Sequence, residues 1–307
     1  MSKILGIVFP GQGSQSVGML SDLALRFSDI EKTYRDASDV LGYDLWELVR
    51  LGPEDKLNQT MHTQPALLAG GYAVWRILQV PQPAVLAGHS LGEYTALVCA
   101  GALSFQDAVR LVAARGLYMQ EAVPEGVGAM AAIIGLEDDK VKKICEQAAL
   151  DHEVLSPANF NSPGQVVIAG HETAVARAMT LMKEAGARMV KQLPVSVPSH
   201  CELMKPAAAR LEKILETIAI EVPRIPVLNN VDADFYQSAT SIRDGLVRQL
   251  YKPIRWVDLV RRLTADGVTE ILECGPGKVL TGLNKRIVTD TKLLSTEDKE
   301  CDYVRSQ

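Results

Sequence analysis

Residues Ala84 to Ala96 read AVLAGHSLGEYTA: an apolar run, then Gly88-His89-Ser90-Leu91-Gly92, then a helical pattern. Gly-x-Ser-x-Gly holds a serine on a tight strand-to-helix turn, and both glycine positions need small residues because the backbone passes close to its neighbours there. The hydroxyl then sits at a helix N-terminus, where free N–H groups and the helix dipole favour developing negative charge. A serine so placed can take an acyl group from a donor. The competing reading is a chance match in a Gly-rich turn; the strand before and the helix after favour the nucleophile.

A serine hydroxyl is nearly inert until a base takes its proton, and the chain offers five histidines. His89 adjoins Ser90 along the chain and is expected to point into packing. His62 precedes a helix and reads as a polar terminus residue, while His152 and His171 lie in turn-like surface contexts. His200 follows VSVPS, where Pro198 blocks helix, and opens the helix that begins at Cys201. Its position leaves it open between an ordinary loop histidine and the base. The hydrolase order Ser…acid…His calls for a carboxylate between Ser90 and a late histidine. No acid stands at an obvious strand end in that interval, which weakens a simple esterase reading.

Arg115 lies in AVRLVAARGLYMQEAV, a mostly apolar and therefore largely covered helix. A guanidinium offers a planar fork that matches a carboxylate with two hydrogen bonds. Position alone nevertheless favours a structural ion pair over a substrate clamp, and Arg110 on the same helix reads as surface charge.

Around these residues the chain must build a scaffold. Its 307 residues are 47% hydrophobic and 5% aromatic, enough for one large domain or a main domain with an insertion. The balance of 32 Lys+Arg against 37 Asp+Glu gives −5, which excludes a bulk basic field for nucleic acid. KILGIVFP reads as a buried strand rather than a signal segment, and no apolar run reaches membrane-spanning length. The five cysteines show no C-x-x-C pair or metal-ligand spacing. The expectation is a cytoplasmic protein with reduced thiols, no metal and no membrane partner.

Short apolar runs alternate with helical patterns. The pattern predicts strands at 4–9 and 84–87 and helices over 65–78, 90–100 and 105–122, hence an α/β layer structure with a mostly parallel sheet. After VPEGVG the rhythm becomes β-α-β-β-α-β: strands at 129–136, 154–160, 165–170 and 188–193, with helices over 138–149 and 172–185. That order is the signature of a ferredoxin-like unit. Alternation then resumes with a helix over 201–217, a strand IPVLNN, helices over 242–250 and 256–266, a strand EILECG and a helix over 278–288. The expected organisation is a discontinuous large α/β-hydrolase-like domain (1–125 and 199–288), a small inserted ferredoxin-like domain (126–198) and a polar C-terminal tail (289–307).

With these residues assembled, the chain resembles the malonyl-CoA:acyl carrier protein transacylases. The resemblance rests on FPGQGSQ (9–15), TQPAL (63–67), GHSLGEYTAL (88–97), RG-x-x-MQ (115–120), NSPGQVVIAG (161–170), PVSVPSHCELMKPA (194–207) and ECGPGKVL (273–280), in order over about residues 1–288. It implies a ping-pong transfer. Ser90, activated by His200, attacks the thioester of malonyl-CoA, and the malonyl ester passes to the phosphopantetheine thiol of acyl carrier protein. It further implies that a main-chain carbonyl, mapping to Gln249, orients His200 in place of a carboxylate. The backbone N–H groups of Gln12 and Leu91 would form the oxyanion hole. Arg115 would hold the malonyl carboxylate, which reverses the reading from position. No permanently bound cofactor is implied; malonyl-CoA enters as substrate.

The carrier partner is expected to be acidic. Arg188, Lys191, Lys285 and Arg286 are candidate docking charges, although solvated surface explains them equally well. Alternatives in other classes are a stand-alone acyltransferase for a polyketide synthase, a serine (thio)esterase, and an inactive carrier-binding module. The missing acid and Arg115 count against the esterase; retention of Ser90, His200 and Arg115 together counts against the inactive module.

Overall fold

Leu5–Phe9 (β1) is five apolar residues in succession, all buried, as expected for a strand covered on both faces. Side chains alternate across a strand, and here Leu5, Ile7 and Phe9 enter one core cluster while Val8 enters another. In the computed structural model, which describes residues 3–195, 197–298 and 301–304, β1 is central in a four-stranded sheet. The other strands are β2 (Val85–Gly88), β7 (Glu270–Glu273) and β8 (Lys292–Ser295), in the order β2-β1-β7-β8, with every pair parallel.

One face of this sheet is covered by α5 (Thr60–Ile77), α6 (Gly92–Cys99) and α7 (Phe105–Glu121). Four helices precede them: α1 (Ser21–Arg26), α2 (Ser28–Leu41), α3 (Leu45–Leu51) and α4 (Glu54–Leu57). On α2 the buried Ile30, Thr33, Tyr34 and Ala37 fall at helical spacing.

A second sheet follows from β3 (Gly128–Ile134), α8 (Asp138–Ala148), β4 (Leu155–Ser162), β5 (Gln165–His171), α9 (Glu172–Glu184) and β6 (Met189–Gln192). Its order is β4-β5-β3-β6 and all pairs are antiparallel. Ala129, Ala131 and Ile133 pack on α8 and α9. Met130, from the opposite face, packs with Val167, Ala169 and Cys201, where the chain returns from this unit. The sheet edge is also stitched to the rest of the chain: Phe160 N–H donates to Ile254 O (2.9 Å) and Ile254 N–H to Ala158 O (2.8 Å). The chain continues through α10 (Lys205–Leu215), α11 (Ala239–Gln249), α12 (Trp256–Ala265) and α13 (Val279–Asn284). Val8, Trp256, Leu259 and Ile271 pack on the other face of the parallel sheet. The result is a mixed α/β fold with one parallel and one antiparallel sheet. No helix among the described residues is long and apolar enough to cross a membrane.

Three expectations are corrected. The stretch 289–307 is not simply a polar tail, because Lys292–Ser295 is sheet strand β8, with Ser295 and Thr296 buried. Beyond it Tyr303 donates its hydroxyl to Glu270 Oε2 (2.6 Å) and its carbonyl accepts from Gln79 N–H (2.8 Å). Strand pairing supplies the backbone partners here, and Leu293 and Leu294 pack against the two cores on either side of the sheet. Residues 299–300 and 305–307 lie outside the described residues. IPVLNN forms no regular strand; its pairing is limited to single bridges, Val227 with Leu86 and Leu228 with Phe235. The helix expected over 278–288 is confined to Val279–Asn284.

Deleting residues 292–307 should therefore lower Tm by roughly 5 °C or more, since an edge strand and its partners are lost. An unchanged melting curve would return this stretch to a loosely held tail.

Candidate active site

The end of β2 runs straight into the turn that carries Ser90. A Cβ on Gly88 would lie 1.9 Å from the Gly92 carbonyl carbon, and one on Gly92 would lie 2.1 Å from Phe9 O. Neither position tolerates a side chain, which is why the motif needs glycine at both. Between them Ser90 adopts φ +52°, the left-handed region that L-residues rarely occupy. Asn230, fully buried, clamps this conformation. Its Oδ1 accepts from Ser90 N–H (2.7 Å) and its Nδ2 donates to Gly88 O (2.7 Å).

His200 reaches the serine from 110 residues away. Its Nε2 lies 2.8 Å from Ser90 Oγ and its Nδ1 lies 2.7 Å from the main-chain carbonyl of Gln249. A carbonyl only accepts, so the ring proton resides on Nδ1 and Nε2 presents a lone pair to the hydroxyl. The backbone at His200 is also left-handed (φ +62°), and its N–H donates to Leu250 O (3.0 Å). The imidazole is therefore gripped through ring and main chain by the end of α11. Burial, reinforced by the Arg115 charge, lowers its pKa to about 3 despite the opposing Gln249 bond. The ring is neutral at physiological pH, as proton abstraction requires.

Arg115 is 1% exposed, projecting from α7. Gly116 lets the helix approach this closely: a Cβ there would lie 2.6 Å from Thr60 O. Arg115 Nη2 donates to Gln249 Oε1 (2.9 Å) and to Ser90 Oγ (3.3 Å), and the guanidinium lies 5.3 Å from the Tyr94 ring centre. Nε is buried with no acceptor, and no ion pair joins the group to a carboxylate, among the described residues. Burial lowers its pKa. Arg110 instead pairs with Asp107 at the surface.

Gln12 lies in the loop after β1, and Leu91 directly follows Ser90 at the start of α6. The loop after β1 is pressed against the elbow: a Cβ on Gly11 would lie 2.3 Å from His89 O, and His89 N–H donates to Phe9 O (3.0 Å). Neither the Gln12 nor the Leu91 N–H has an acceptor among the described residues.

The remaining histidines lie elsewhere. His89 turns away from the hydroxyl, with Nε2 2.8 Å from Asn161 Oδ1 of β4 and its ring 5.5 Å from that of Trp256. His62 lies inside α5 rather than before it, 3.0 Å from the Tyr43 hydroxyl. His171 accepts from Val154 N–H at the end of β5 (2.8 Å), and His152 occupies an exposed turn. Arg188, Lys191, Lys285 and Arg286 are all exposed, and Arg286 donates to Gln165 of β5 (2.5 Å).

Sequence reasoning missed Glu93 and Asn230. Glu93 is completely buried. Its Oε1 accepts from the Tyr236 hydroxyl (2.5 Å), and its Oε2 accepts from Gln249 Nε2 (2.5 Å) and Asn230 N–H (3.3 Å). Burial raises its pKa to about 7. The available signal was a lone charge inside GEYTALVC, an otherwise apolar helix. Asn230 carries no comparable mark.

A strained serine, a neutral imidazole braced by a carbonyl, and a buried guanidinium facing the hydroxyl suit acyl transfer better than a carboxylate-based hydrolase does. Known proteins agree with this class. Residues 7–297 match the family described as acyl transferase domain. A malonyl CoA-acyl carrier protein transacylase of Haemophilus influenzae is 57% identical over 300 residues, covering 96% of each chain, and that of Escherichia coli is 58% identical over 92% of each. Among solved structures, an acyl carrier protein S-malonyltransferase from Vibrio cholerae superposes with a TM-score of 0.94 at 58% identity, covering 97% of each chain. A malonyl-transacylase solved in complex with its type II PKS acyl-carrier protein gives 0.94 at 54% identity, also over 97% of each. The chain belongs to the acyl transferase domain family and, within it, to the malonyl CoA-acyl carrier protein transacylases.

The His200 ring signal in NMR should stay flat from about pH 8 to about pH 5, because burial keeps the imidazole neutral. A midpoint near the ordinary histidine value would contradict the buried, carbonyl-braced geometry.

Proposed function

We propose that this chain transfers the malonyl group of malonyl-CoA to the phosphopantetheine thiol of acyl carrier protein, supplying extender units for fatty acid synthesis in the cytoplasm. Arg115 facing the Ser90 hydroxyl at 3.3 Å carries the reading. A three-carbon half-ester on Oγ can turn its distal carboxylate onto that guanidinium, whose Nε lacks an acceptor.

In the first half-reaction Ser90 Oγ attacks the thioester carbon while His200 Nε2 takes the hydroxyl proton. The Gln12 and Leu91 N–H groups receive the oxyanion, at about 3 kcal/mol or more of transition-state stabilisation per donor. The tetrahedral adduct collapses, the C–S bond breaks, and the proton on His200 goes to the departing coenzyme A sulfur. In the second half-reaction His200 takes the carrier thiol proton, the thiolate attacks the ester, and Ser90 recovers its proton. Gln249 O holds the Nδ1 proton throughout, a task that needs an acceptor but no negative charge. The carboxylate clamp fixes the acyl group in one pose, and a positioned thiol benefits from that proximity where water does not.

In the architecture proposed here the parallel-sheet part is a discontinuous α/β-hydrolase-like domain (1–125 and 199–288). The unit at 126–198 is an inserted ferredoxin-like domain, supported by its βαββαβ order and its antiparallel sheet. The acidic carrier approaches the exposed Arg188, Lys191, Lys285 and Arg286. The polyketide-linked acyltransferase is retained as a second reading, because a 54%-identical relative was solved with a type II PKS carrier.

Ser90→Ala should abolish both the malonyl adduct and transfer; a stable adduct on the variant in intact-mass spectra would refute the nucleophile. Arg115→Ala should reduce kcat/KM for malonyl transfer by roughly 100-fold, the scale of one or two charge-assisted bonds. Acetyl transfer should change far less, and equal losses for both acyl groups would leave Arg115 a structural residue.

A further inference from the structure

Glu93 is a buried carboxylate to which the mechanism above gives no task. It lies on α6 three residues after the nucleophile, and among the described residues its hydrogen bonds come from Tyr236, Gln249 and Asn230. Gln249 joins it to Arg115: the carboxamide Nε2 donates to Glu93 and to Ser90 O (2.9 Å), while Oε1 accepts from Arg115 Nη2. Since carboxylate and carbonyl only accept, the amide is held with its oxygen toward the guanidinium. Glu93 is thus the counter-charge of Arg115 at one remove. It balances the buried cation without occupying the fork that the substrate needs.

This arrangement has a consequence when the substrate carboxylate arrives. Among the described residues, Arg115 is the buried cation of this cluster and Glu93 its buried anion. A malonyl ester adds a second anion beside the buried Arg115 and Glu93, and an uncompensated buried charge is strongly unfavourable. One of the two carboxyls must then take a proton. The malonyl carboxylate sits directly on Arg115, which favours its ionised form. Glu93 sits behind a neutral amide in a fully buried position, which favours its protonated form. The other titratable or charged groups around Glu93 cannot absorb the change. Tyr94 on α6 and Tyr236 in the segment before α11 are phenols held protonated by burial, with pKa values raised. His200 is already neutral, and Arg115 must stay charged to hold the substrate. Arg248 is committed to Asp232 and Asp244.

We propose that Glu93 is a positioning residue that acts as the exchangeable counter-ion of Arg115, ionised in the empty pocket and taking up one solvent proton when a carboxylate-bearing acyl group is loaded on Ser90. A neutral acyl group triggers no uptake. The loading step balances as Ser90–OH plus malonyl thioester giving the serine ester and coenzyme A thiol, with one further proton moving from solvent to the Glu93 carboxylate. The pKa of Glu93, raised by burial to about 7, places the exchange within reach of neutral pH. The proposal rests on the transfer reading above.

The test is the equilibrium constant for malonyl loading, measured by intact mass against added coenzyme A from about pH 7 to about pH 8.5. By linkage, binding one extra proton makes loading fall about tenfold per pH unit above the Glu93 pKa. Glu93→Gln keeps the shape but holds no exchangeable proton, so its profile should show only ionisation of the released thiol, which both proteins share. The ratio of wild type to variant should carry the tenfold slope; a ratio independent of pH overturns the proposal. If the variant does not fold, the wild type decides the question in weakly buffered solution with an indicator dye. Malonyl loading should consume up to one proton more per adduct than acetyl loading, and equal consumption overturns the proposal. Absence of any malonyl adduct on the wild type would instead sink the transfer reading itself.

Discussion

The structure depends on a turn that has no room for two Cβ atoms. Gly88 and Gly92 lie against each other and against the end of β1, and this contact forces the intervening Ser90 into a left-handed backbone. The strain is sustained because Asn230 ties both sides of the turn, donating to one carbonyl and accepting one N–H. The hydroxyl stands clear of the sheet as a result, and the loop carrying Gln12 is brought against the same turn. Relaxing either glycine contact would move the hydroxyl and the adjacent N–H of Leu91 together.

Around that turn the pocket solves an electrostatic problem. A buried guanidinium needs a compensating charge, yet on the proposed function a carboxylate bonded directly to it would compete with the substrate. The chain interposes the Gln249 amide between Arg115 and Glu93. The same residue braces His200 through its main-chain carbonyl. Base orientation and charge compensation therefore share one residue at the end of α11, and movement of that helix end would disturb both. On the proposed function this also explains how the site dispenses with a triad acid: a carbonyl suffices to fix the tautomer, and an acid on His200 would place a second anion close to the ester's own carboxylate.

The two sheets meet beside this site. Asn161 at the end of β4 bonds His89, the neighbour of the nucleophile. Cys201, next to His200, packs into the face of the antiparallel sheet. The segment that delivers the base is thus buttressed by the unit from which it returns, and that unit also bonds His89, the residue before Ser90.

Much of the scaffold was legible in the chain itself. Contiguous apolar runs mark β1 and β2 because strands covered on both faces carry no alternation, and the Gly-x-Ser-x-Gly spacing between β2 and α6 is a local steric requirement. The β-α-β-β-α-β order is likewise local. Ser90 could be assigned from its surroundings, whereas His200 and Arg115 were ambiguous until the family resemblance was added. The tertiary structure decided the rest. A main-chain carbonyl is the same on every residue type, so nothing in RQLY marks Gln249 as the partner of His200. Strand β8 carries only two apolar residues, Leu293 and Leu294, and the polar residues around them conceal it. Glu93 looks like one charge in an apolar helix; its link to a guanidinium 22 positions later along the chain exists only where α6, α7 and α11 converge, because charge compensation depends on distance in space rather than on order in the sequence.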